Sequence, residues 1–170
     1  YVSINDCANI VLACGGAPIM AEDINEVSQI TSICQGLDIN IGMLNDNKLS
    51  SMLKAGATAN ELGIPVILDP VGAGSSDYRI KAVQNLMSNV QFGVIRGNVS
   101  EIKAIAAKQG IHNIAAGVYE TMQKNKSAMG VEAGIADKIT DDNIKEMADF
   151  INKLSQKTGA VIAVTGGIDM

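Results

Sequence analysis

Short runs of β-branched and other apolar residues alternate along this chain with longer stretches whose apolar positions recur at helical spacing. The runs are LDINI (Leu37 to Ile41), VILD (Val66 to Asp69), FGVI (Phe92 to Ile95) and AVIAV (Ala160 to Val164). Between them, Ile24, Val27, Ile30 and Ile33 make one helical stripe, and Leu49, Met52, Leu53 and Leu62 belong to a second. Ile144, Met147, Ala148, Ile151 and Leu154 form a third. Strands apolar on both faces, separated by helices, predict an α/β layered fold with a mostly parallel central sheet and right-handed crossovers. No internal repeat or linker interrupts the pattern, so residues 1–170 read as a single domain. The segment 111–138 carries Gly117, Gly130 and Gly134 and no sustained period. It reads as an irregular excursion with some helix, which puts His112 at the surface. The last strand ends in VTGGIDM with no helix after it to cover that flank. The domain is therefore expected to be partial, incomplete on its C-terminal side, with apolar sheet surface left bare.

Composition narrows the class. The 170 residues are 47% hydrophobic, 18% charged and 3% aromatic, which suits a globular domain whose core needs neither disulfides nor metals. A net charge of -5 and an isoelectric point near 4.8 leave no broad basic face for phosphate backbones, so nucleic acid is not the expected partner. There is no Trp, and Tyr1, Tyr78, Phe92, Tyr119 and Phe150 are too few for a base-stacking platform. The apolar runs stop far short of the ~18 residues that span a bilayer, so no membrane is implied. Cys7, Cys14 and Cys34 lack the close pairing of a zinc knuckle or redox motif, and His112 is the only histidine. Buried, reduced thiols in a cytoplasmic protein are expected. No signal peptide is in view, and the start at Tyr1 without Met reads as a lost N-terminus.

In an open parallel sheet, ligands bind beyond the carboxyl ends of the strands. There the sequence places Gly42 after the first strand, Asp69 in DPVGAG after the second, Arg96 in RGNVSE after the third and Thr165 in TGGID after the fourth. One rim thus gathers Asp69, Arg96, Asn98, Glu101 and Thr165 with glycines 42, 72, 74, 97, 166 and 167. Glycine lets a ligand approach the backbone, a carboxylate pair holds hydrated Mg²⁺, and Arg fits phosphate oxygens bidentately. Together they describe nucleotide-dependent phosphoryl transfer. Local alternatives stay open: Glu101 stands three residues after Asn98, the spacing of a helix capping box. Asp69 before Pro70 has the makings of a turn cap, and Arg96 of a solvated charge. The absence of GxxxxGK[ST] and of a complete GxGxxG disfavours a P-loop enzyme and a Rossmann dehydrogenase.

The motifs DPVGAG (Asp69 to Gly74), IRGNVSEI (Ile95 to Ile102) and VTGGID (Val164 to Asp169), with GGAPIMAEDINEV (Gly15 to Val27) and INIGML (Ile39 to Leu44), resemble hydroxyethylthiazole kinase. The likeness runs in order along the chain and is weakest over 111–138. It implies a ribokinase-like enzyme of thiamine salvage that uses ATP and Mg²⁺ to phosphorylate 4-methyl-5-(2-hydroxyethyl)thiazole. Carried over by position, Arg96, Asn98 and Thr165 would contact ATP. Asp69 and Glu101 would belong to the Mg²⁺ and phosphate network, and Met20 with Val2 would line the thiazole pocket. A polarizable thioether at Met20 suits a sulfur heterocycle, and equally an ordinary core. The family is trimeric with its site between subunits, so a homotrimer is implied.

The chain departs from the family pattern in three places. It begins just after the Thr-Asn of an N-terminal ITN segment. It stops before the Gly-rich anion hole that carries the family's active-site Cys, so that residue is placed beyond Met170 and is none of the three Cys here. It also has Gly167 where many members have Glu. The segment 1–170 alone is accordingly expected to lack kinase activity. Another ribokinase-like kinase, an ADP-dependent dehydratase and a non-catalytic ligand-binding fragment are the competing readings.

Overall fold

Four strands form one parallel sheet in the spatial order β1-β2-β3-β4 in a computed structural model that describes residues 4–111 and 139–170. The elements are α1 (Ile4–Ala13), α2 (Val27–Ser32), β1 (Leu37–Asn40), α3 (Asp46–Glu61), β2 (Val66–Asp69), α4 (Asp77–Asn89), β3 (Val94–Asn98), α5 (Val99–Lys108), α6 (Ile144–Thr158) and β4 (Val161–Thr165). The expected α/β fold with a parallel sheet is therefore present. His112 and nearly all of the expected excursion lie outside the described residues.

Spatial order follows chain order, so successive crossovers of one hand lay their helices on the same face. That face is dry: Ile39, Ile41, Val66, Leu68, Ile95, Ile162 and Val164 are buried against Val83 and Leu86 of α4, Ile102 and Ile105 of α5, and Phe150 and Leu154 of α6. The opposite face carries Asp38, Asn40, Ile67, Arg96 and Val161. Ile67 is 41% and Val161 63% exposed, so apolar side chains stand bare on this face among the described residues. The strands are not apolar on both faces, however. They alternate, because side chains on a strand point to opposite faces and only one face is covered here.

Several local expectations shift. The third strand starts two residues later than the FGVI run and continues through Arg96, Gly97 and Asn98, since pairing with Ala163, Val164 and Thr165 of β4 holds it extended. Phe92 instead enters the core below the strand. Ile24 and Ile33 fall outside the six-residue α2 and are exposed, leaving Val27 as the buried member of that stripe. On α3 the buried residues are Ser51, Ala55, Gly56 and Ala59, whereas Leu49, Met52 and Leu53 are half-buried and Leu62 is exposed. A Cβ on Gly56 would come within 2.5 Å of Val90 Cγ2, so α3 passes too close to the end of α4 for large side chains. The α6 stripe behaves as expected, with Met147, Ile151 and Leu154 buried and Phe150 joining them. The thiols do not: Cys7 and Cys14, in and just after an α1 that buries none of its residues, are exposed, and Cys34, just after α2, is half-buried.

Helix starts follow the strand ends closely. Asn45, Ser76 and Asn98 are N-caps whose side-chain oxygens accept the backbone N–H of Lys48, Arg79 and Glu101. Three helix N-termini therefore stand at the end of the sheet where the strands finish.

Candidate functional site

Adjacent strands bring Asp69, at the tip of β2, beside Asn40 of β1 and Arg96 of β3. Asn40 pairs with Asp69 in register, and its Nδ2 donates to Asp69 Oδ2 at 3.0 Å. Arg96 Nη1 reaches the same oxygen at 3.4 Å, with the arginine side chain 53% exposed and the aspartate 17%. Asp69 Oδ1 accepts no hydrogen bond among the described residues.

Glu101 is 7% exposed and both its oxygens are engaged. Oε2 accepts the Asn98 backbone N–H and Oε1 that of Gly72, each at 2.8 Å. With the Asn98 side chain accepting Glu101 N–H at 2.9 Å, this completes a capping box. Capping is thus an observed role of Glu101, and the bond to Gly72 goes beyond it by tying the DPVGAG loop to the start of α5. Gly72 has φ +66°, a left-handed conformation that favours glycine. A Cβ on Gly97 would lie 3.0 Å from Glu101 Oε2, so a side chain there would crowd the carboxylate.

The remaining rim residues divide. Thr165 ends β4 beside Asn98. Asn98 Oδ1 is committed to the cap and also accepts Ser100 Oγ–H at 2.7 Å. After Thr165 the chain closes on itself through reciprocal Val164 and Met170 backbone bonds. Gly167 in that turn has open space around its Cβ position, so a longer side chain would fit. Met20 lies on the connection from α1 to α2 and is 51% exposed. That connection is tethered to α3 by Lys48 Nζ to Glu22 Oε2 at 2.7 Å and by Lys54 Nζ to Ile24 O at 2.9 Å. Val2 lies outside the described residues.

Sequence reasoning missed Asp38, Asn40 and Arg79. The first two break an apolar run at alternate positions, which marks a face that is not covered. Burial pushes Asp69 above its ordinary value, and Arg96 pulls it back while the charges of Glu101 and Asp38 push it up. Asp38 is likewise raised by burial and lowered by Arg96. Asp38 and Asp69 thus share the guanidinium of Arg96 and repel each other, a negative charge that a cation would relieve. Among the described residues no group of three or more His, Cys, Asp or Glu is arranged to hold a metal ion. The donor set on this rim is one of carboxylates, and Mg²⁺ binds through one or two of these with its own waters and phosphate oxygens.

A pH dependence follows. Because the folded state raises Asp38 above 3.8, it binds the proton more tightly than the unfolded chain, and stability falls as pH rises through that window. Asp38→Asn is expected to unfold at a higher temperature than the wild type at neutral pH. The gap should close as the pH falls toward 3.8; a gap that stays constant from pH ~7 to pH ~3 would refute the assignment.

Comparison with known proteins sets this rim in context. A family model described as the hydroxyethylthiazole kinase family matches residues 1–140. A hydroxyethylthiazole kinase of Clostridium acetobutylicum is 53% identical over 170 residues, which is 100% of this chain and 56% of that protein. One from Desulfovibrio desulfuricans is 45% identical, again over 100% of this chain and 54% of its own length. The solved structure of hydroxyethylthiazole kinase protein from Pyrococcus horikoshii OT3 superimposes with a TM-score of 0.77 at 28% identity, covering 99% of this chain and 54% of that one. The chain spans about half the length of the curated relatives it matches. No helix among the described residues is long and apolar enough to cross a membrane.

Proposed function

The chain belongs to the hydroxyethylthiazole kinase family, and on that premise we propose that it supplies the nucleotide side of an ATP-dependent kinase acting on the hydroxyl of 4-methyl-5-(2-hydroxyethyl)thiazole, in thiamine salvage. The observation that carries this is the half-exposed Arg96, within β3, held against Asp69 at the end of β2, beside a glycine loop anchored by Glu101. Arg96 is loosely paired and free to turn its guanidinium onto phosphate oxygens. Thr165 and Asn98 flank it on the same rim and orient the nucleotide. Asp69, with one oxygen not hydrogen-bonded, and Glu101, through its charge, hold Mg²⁺. When bound, Mg²⁺ neutralises charge on the phosphates. Met20 and Val2 serve the thiazole, and the exposure of Met20 fits a pocket completed by another subunit of a homotrimer. The setting is cytoplasmic.

The test is ADP release by the whole protein with ATP, Mg²⁺ and the hydroxyethylthiazole, beside a hydroxymethylpyrimidine of similar size. Turnover confined to the thiazole alcohol is expected. Turnover of the pyrimidine alone, or of neither, would refute the proposal.

A further inference from the structure

Arg79 stands in the first turn of α4, three residues after the N-cap Ser76, where the helix dipole disfavours a cation. Its guanidinium is compensated by three carbonyls: Nη1 donates to Ile41 O at 2.7 Å and to Val71 O at 2.8 Å, and Nη2 to Gly42 O at 2.9 Å. Two of these oxygens belong to peptide groups whose N–H is held at the other end. The Val71–Gly72 peptide gives its N–H to Glu101 Oε1. The Ile41–Gly42 peptide gives its N–H to Asn40 Oδ1 at 2.8 Å, and Asn40 in turn donates to Asp69. A cation on the carbonyl and an acceptor on the amide polarise each plane in the same sense, which strengthens both bonds. Neighbouring Tyr78 adds a 2.6 Å bond to Asp46 at the start of α3.

We infer that Arg79 is a positioning residue for the rim, holding Asp69 through the Gly42 peptide and Asn40, and Glu101 through the Gly72 peptide, in one fixed relation. It touches neither carboxylate, so it acts through the two peptide planes. Only a planar fork with several donors reaches three carbonyls at once, and a lysine ammonium on the same stem satisfies fewer of them. The inference rests on the reading of the rim as a nucleotide and Mg²⁺ site.

The experiment compares Arg79→Met and Arg79→Lys with wild type in the whole protein. Loss of outer support for charged ligands is expected to raise the Mg²⁺ concentration for half-maximal rate by about 10- to 100-fold in Arg79→Met, with partial recovery in Arg79→Lys. The KM for the thiazole alcohol should change less than about threefold, because uniform binding of that substrate does not involve Arg79. In the Glu101→Gln background the effect of Arg79→Met should shrink, since the two act through one peptide plane. Amide exchange at Gly42 and Gly72 should quicken in the protein without substrates. Loss of thermal stability with unchanged Mg²⁺ dependence, or additive effects with Glu101→Gln, would overturn the inference. If wild type phosphorylates nothing, the kinase reading fails separately. Arg79 is then judged by amide exchange and by calorimetric Mg²⁺ and ATP binding, and unchanged values in Arg79→Lys would overturn it.

Discussion

Arg96→Ala is expected to cut kcat/KM for ATP by about 30-fold, the equivalent of ~2 kcal/mol for a charged hydrogen bond lost at phosphate. The thiazole alcohol should bind nearly as before. Stability should barely move, by ~0.5 kcal/mol or less, because the ion pair broken among the described residues is a long one of 3.4 Å on a half-exposed side chain. This separation of function from stability is the informative feature. Arg96→Lys restores the charge without the fork and is expected to recover only part of the loss. Arg96 also lowers the Asp69 pKa, so its removal should push Asp69 further up and move the acid limb of the rate profile to higher pH. Equal ATP kinetics in wild type and Arg96→Ala would take Arg96 out of the site.

Glu101→Ala is expected to lower the unfolding free energy by ~3 kcal/mol, measured by urea denaturation. Two backbone N–H groups, those of Gly72 and Asn98, lose a charged acceptor in a site that is 7% exposed, and each such loss typically costs ~1–3 kcal/mol. Glu101→Gln should cost about half as much, since one amide oxygen can accept while the NH₂ group faces the second N–H. From spacing alone Gln is an adequate capping residue; the second bond, to Gly72, is what makes it inadequate. The charge of Glu101 also pushes Asp69 up, so Glu101→Gln should let Asp69 fall toward its ordinary value. A Mg²⁺ titration of Glu101→Gln then separates two roles: a raised requirement marks a part in metal binding, and an unchanged one leaves Glu101 a structural acceptor. Stability of Glu101→Ala within ~0.5 kcal/mol of wild type would refute the two-bond account.

Much of the rim was legible because it is local. VILD is observed as β2 without change, and the capping box joins Asn98 and Glu101, only three positions apart. Asp69 and Thr165 could be placed at strand ends because β-branched runs end there, whereas Arg96, expected after the third strand, lies within β3. The shift of β3 past FGVI was not legible, since its extension depends on β4, more than sixty residues along the chain. Arg79 was invisible for the same reason: as a letter it is one basic residue among the thirteen Lys and Arg.

The sequence by itself determined the four strand runs to within a few residues, three of the helical stripes, the Asn98 and Glu101 cap, and the end of the sheet at which polar and glycine residues collect, because periodicity and capping act over a few residues. Only the tertiary structure decided which sheet face stays open, that Asp38 and Asn40 share it with Asp69 and Arg96, and that Arg79 joins the two loops. Apart from the Arg79 bond to Val71, those bonds link residues 27 to 38 positions apart. Each of them depends on where a whole crossover returns the chain, and that is set by packing on the covered face of the sheet.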